Sequence, residues 1–154
     1  ALELSEALVE PFAPQAAVER QASMHRAWAE HLEANTKGEK NDQVEQTEAN
    51  ARRHRREAGG LWSKLAAMRL ATRHYVDDLG NSADDFRRGH GFEQAVVVYR
   101  ELLRQLPQHG QPETLVGLGE SLLALRKTNE ALTVLGECRQ TFPRHPATYQ
   151  ARQI

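Results

Sequence analysis

The stretch LVGLGESL at residues 115–122, followed by NEALTVLGEC at 129–138 and then Pro143, decides how this chain is read. Bulky Leu115, Leu118, Leu122 and Leu135 alternate with small Gly119, Ala131 and Cys138 at helical spacing. The same order of large, small and proline positions occurs upstream, in Leu79, Ala83, Phe86, Phe92, Ala95, Tyr99, Leu102 and Pro107. Ala83 to Gly119, Ala95 to Ala131, Tyr99 to Leu135 and Pro107 to Pro143 are each separated by 36 positions. A period in this range marks stacked supersecondary units, and each unit here reads as a pair of helices. Small residues let two helices approach closely, and large ones fill the space beside them.

These residues resemble the tetratricopeptide repeat, a helix-turn-helix unit of about 34 residues. The resemblance covers residues 76–145. Two positions of the first unit depart from it: Ser82 stands where the pattern has a large apolar residue, and Leu102 where it has a small one. A loosely packed first helix is therefore expected. Tyr149, after Pro146, opens a third unit that is not completed. The resemblance implies an all-α fold whose second half is a short α-solenoid of helical hairpins. It also implies a concave face, where the family takes extended or helical peptides. In that frame Asp77, Asp84, Glu113, Val116, Glu120 and Leu123 face the concave side, with Arg87 and Arg88 at its rim. The lysine and asparagine set that some members use to clamp a C-terminal carboxylate is missing. An acidic, partly apolar groove of this kind suits a basic or amphipathic segment.

Three stretches follow from the pattern. Residues 1–40 read as a lead-in and a helix from about Pro14 to Ala34, closed by a polar hinge over 35–42. Residues 41–75 read as a long helical segment. Gly59 and Gly60 mark a bend or short break in it, because each internal glycine weakens a helix. Residues 76–154 hold two repeats and the start of a third helix pair. Repeats of this type need neighbours to bury their apolar faces, so a helix from Leu61 to Leu79 is expected to cover one open end. Trp28 and Trp62 lie on apolar stripes and are expected in helix-helix contacts.

Composition narrows the function. Twenty basic residues against 21 acidic ones give no global attraction to nucleic acid or an anionic membrane. Arg52, Arg53, His54, Arg55 and Arg56 form a dense basic run, but Glu45, Glu48 and Glu57 flank it, and a solvated helix face is the expectation. No apolar run reaches the length that spans a bilayer. The seven histidines contain no i, i+4 pair on one helix, so no metal site is expected, and no motif implies a cofactor. No nucleophile elbow occurs, and Cys138 falls on a small-residue position as a buried, inert thiol. The expected function is therefore non-catalytic: a scaffold or adaptor module binding a partner protein. Two alternatives stay open. One is a self-assembling module that dimerises, for instance by exchanging its N-terminal helix across the hinge. The other is a regulatory segment of a larger enzyme. A cytoplasmic setting is expected, with periplasm or secretion left open if the N-terminus is processed.

Overall fold

The computed structural model describes residues 13–36, 41–107 and 111–153; the expected lead-in at 1–12, the centre of the hinge at 37–40 and the connector at 108–110 lie outside them. Among the described residues the chain forms seven α-helices and no strand. They are α1 (Ala13–Asn35), α2 (Asn41–Met68), α3 (Tyr75–Arg88), α4 (Phe92–Gln105), α5 (Pro112–Ala124), α6 (Thr128–Thr141) and α7 (Pro146–Gln153). The all-α class read from the sequence is the class observed. Prolines set several boundaries. Pro112 sits in the first turn of α5, where its missing N–H costs nothing. Leu106 is held extended ahead of Pro107, which ends α4.

The turns at residues 90–91 and 126–127, which are 36 positions apart, share one backbone geometry. Between α3 and α4, His90 adopts φ 57°; at the equivalent place between α5 and α6, Arg126 adopts φ 60°. The Gly91 N–H donates to the Phe86 carbonyl at 2.7 Å, and the Lys127 N–H donates to the Leu122 carbonyl at 2.9 Å. Gly91 and Lys127 then enter the next helix with the same ψ of 58°. This left-handed helix ending satisfies carbonyls that the last turn would otherwise leave unpaired.

Packing follows the interleaved pattern. Ala83, Ala95 and Ala131 are fully buried in a core with Leu79, Tyr99, Leu102, Leu118 and Leu122. A second cluster of Leu115, Val116, Leu135, Cys138, Ala147 and Ala151 joins α5, α6 and α7. Gly119 is the closest approach in it: a Cβ there would lie 2.5 Å from Leu135 Cδ2. Each such fully buried leucine contributes about 1.5–3 kcal/mol relative to exposure.

The N-terminal helices form an antiparallel pair. Gln15 at the start of α1 reaches the carbonyl of Met68 at the end of α2, while Glu33 near the end of α1 grips Arg55. Val18, Ala22, Ala58, Trp62 and Leu65 make the seam. The pair packs on α3 through Ala66 and Leu79 and through the Ser63–Ser82 hydroxyl contact of 2.7 Å, with Leu61 on α2 and Leu79 on α3 rather than on one continuous helix.

Four further expectations are corrected. No break occurs at Gly59 and Gly60; α2 runs through both and ends at Met68. The reason is packing: Gly59 is where the Phe86 ring of α3 rests, 2.9 Å from the place a Cβ would take. Ser82 does not loosen α3. It is fully buried, and its hydroxyl donates to the Gly59 carbonyl at 2.7 Å. The basic run is not simply a solvated face, because Arg55 is buried and ion-paired. Trp62 is buried as expected, but Trp28 is 53% exposed.

Candidate functional site

A cavity of about 380 Å³ opens between α3, α4, α5 and α7. Helical spacing builds its wall. Gly80, Asp84 and Arg87 lie three and four apart on one face of α3; Glu113, Val116, Gly117 and Glu120 do the same on α5. Tyr99 and Leu102 of α4 form the floor, and Gln150 of α7 closes one side.

Arg87 organises this cavity. Its guanidinium donates to Tyr99 Oη at 3.1 Å, to Glu120 Oε2 at 2.9 Å and to Asp84 Oδ1 at 2.7 Å, so one cation ties three helices together. Burial acts against that cation most strongly, but Tyr99 and Asp84 outweigh it and hold its pKa above the ordinary arginine value. Burial also pushes the Tyr99 phenol up, against the pull of Arg87. Arg88 takes the other Asp84 oxygen at 2.8 Å. Glu113 stands 3.6 Å from His145 and projects into solvent, its side chain 69% exposed. The lining therefore carries three carboxylates to one guanidinium, above an apolar floor.

Of the residues expected on the concave face, Asp84, Arg87, Glu113, Val116 and Glu120 line this cavity together. Val116 does so as a buried wall residue rather than a projecting anchor. Asp77, Arg88 and Leu123 are not part of the lining; Leu123 packs into both neighbouring clusters. Tyr99 is among the lining residues the sequence reading missed here. It stands at a bulky packing position, with its ring close against Gly117 and its hydroxyl accepting from Arg87.

Two polar assemblies lie elsewhere. Asp85, fully buried, accepts from Arg55 Nη1 at 2.9 Å and from Arg26 Nε at 2.9 Å; Arg26 also reaches Asn81. Arg55 completes its own bonding with both oxygens of Glu33. These bonds join α1, α2 and α3. On the outer face of α1 and α2, His25 and His54 meet with Nδ1 atoms 2.9 Å apart, and Trp28 stacks on His54. Neither assembly shows as a spacing within one helix.

Among the described residues no helix is long and apolar enough to cross a membrane. No protein-family model matches the chain, and no curated protein or solved structure gives a significant match to it.

Proposed function

We propose that residues 76–154 form a two-unit tetratricopeptide-like array whose cavity holds a basic or amphipathic segment of a partner protein, without catalysis. The observation that carries this reading is the charge and shape of the cavity: a lining with three carboxylates, Asp84, Glu113 and Glu120, to the one guanidinium of Arg87, over the apolar parts of Tyr99, Leu102 and Val116. The shared geometry of the two turns, at His90 and Arg126, supports the repeat assignment. An incoming lysine or arginine would meet Glu113 first and then compete with Arg87 for Glu120 and Asp84. Affinity would come from apolar groups placed on the floor, and selectivity from charge.

The test uses a labelled amphipathic peptide carrying lysines on its polar face, and its counterpart carrying glutamates, in fluorescence anisotropy with the whole chain. The basic peptide should bind saturably and more weakly as salt rises. Glu113→Lys with Glu120→Gln should weaken it by about tenfold. Equal binding of both peptides, or of neither, sinks the reading.

A second reading, self-association, is favoured by one observation: Met24 and Trp28 are both 53% exposed on one face of α1. Light scattering over a concentration series separates it, since a constant monomer mass rules it out.

A further inference from the structure

We propose that His25, His54 and Glu57 form a binding site for a borderline divalent transition-metal ion of the Zn(II) type, independent of the cavity above. The site lies across α1 and α2. His25 comes from α1, while His54 and Glu57 sit three apart on one face of α2. His25 Nδ1 is 2.9 Å from His54 Nδ1 and 3.1 Å from Glu57 Oε2. One ligand atom from each residue falls within 4.8 Å of the others. Zn(II) takes imidazole nitrogen and carboxylate oxygen at about 2.0–2.2 Å, so adjacent tetrahedral ligands lie about 3.3 Å apart. The His25–His54 and His25–Glu57 separations need to open by only a few tenths of an ångström, and the third pair lies within 4.8 Å. Two imidazoles and one carboxylate suit Zn(II), Co(II), Ni(II) or Cu(II) rather than Mg(II) or Ca(II), which take oxygen ligands.

The surroundings fit a bound cation. The two imidazoles bring their Nδ1 atoms together at 2.9 Å, although nothing in a helical pair requires two histidines to face each other. His25 and His54 are half-buried, whereas Glu57 is exposed and free to close on the ion. Three protein ligands leave a fourth position for water or an incoming group. Trp28 lies over His54 with ring centroids 6.2 Å apart and supplies an optical reporter.

The experiment is isothermal titration of the chelator-stripped whole chain with ZnCl2. Cobalt(II) absorption and Cu(II) quenching of tryptophan fluorescence serve as independent readouts. One equivalent should bind. His54→Ala, His25→Ala and Glu57→Gln should each weaken binding by about tenfold or more, while His74→Ala leaves it unchanged. Copper quenching should shrink in Trp28→Phe. Far-UV circular dichroism checks each variant's fold, and Glu57→Gln, at an exposed site, keeps the test open if a histidine variant misfolds. The proposal is overturned if no metal binds at one equivalent, or if binding is indifferent to all three substitutions.

Discussion

The Tyr99 ring lies directly on the backbone of Gly117, so that a Cβ at residue 117 would sit 2.6 Å from both Cζ and Oη. The contact fixes the height of the phenol in the cavity and so places the acceptor of Arg87 Nε. Gly117→Ala should therefore do two things. It should cost about 1–3 kcal/mol by overpacking, and it should displace the Tyr99–Arg87 bond. Tyr99→Phe, which keeps the ring, should cost only about 0.5–1.5 kcal/mol in urea unfolding. A Gly117→Ala protein as stable as the parent would show that the ring is free to move.

Neighbouring glycines in α2 should respond in opposite directions. A methyl at Gly59 meets the Phe86 ring at 2.9–3.1 Å, whereas nothing lies within 4 Å of one at Gly60. Gly60→Ala should stabilise by about 0.5–1 kcal/mol through helix propensity alone. Gly59→Ala should destabilise, and Phe86→Leu should reduce that penalty when combined with it. Thermal unfolding of the three proteins checks the pair, and equal effects at both glycines would contradict the packing.

Removing the carboxylate of Asp85 should be costly. Asp85 and Arg55 side chains are 0% and 2% exposed, and without Asp85 the buried guanidinium keeps only Glu33 and the more distant Glu30. Asp85→Ala should lose about 3–5 kcal/mol in urea unfolding. Arg55→Met in the same background should restore part of it, because the stranded charge is then gone. Additive losses in the double variant would show that the two residues are not coupled.

Acid should weaken the turn between α3 and α4. Burial, then the nearby Arg52 and Arg56, lower the His90 pKa below its ordinary 6.5. The fold therefore prefers neutral His90. Its contribution is complete above about pH 6.5 and is lost as pH falls through the lower native value. Urea midpoints at pH 8 and pH 5.5 should differ less in His90→Asn, which tolerates the left-handed φ, than in the parent. An unchanged difference would assign the acid sensitivity to other groups.

The second half of this structure, from α3 on, was legible because its signals are local. Gly119, Ala131 and Pro143, with their counterparts Ala83, Ala95 and Pro107, placed α3 to α6 within a residue or two, and Pro146 placed the start of α7. The cavity was partly legible for the same reason: Asp84 and Arg87, and Glu113, Val116 and Glu120, share faces through helical spacing. What could not be read depended on which helices touch. Ser82 and Gly59 looked like weaknesses in isolation and are a hydrogen bond between two helices. Arg55 looked solvated beside its arginine neighbours, since its partners come from α1 and α3. His25 and His54 are 29 positions apart, so no spacing within one helix brings their contact into view.

The carboxylate shared by Arg26 and Arg55 also constrains the order in which the chain can settle during translation. Both arginines are made before Asp85. A nascent chain that has released only its first two helices holds two guanidiniums at their seam and lacks the anion that neutralises them together. That early hairpin should breathe until α3 emerges, and docking of α3 should lock it shut.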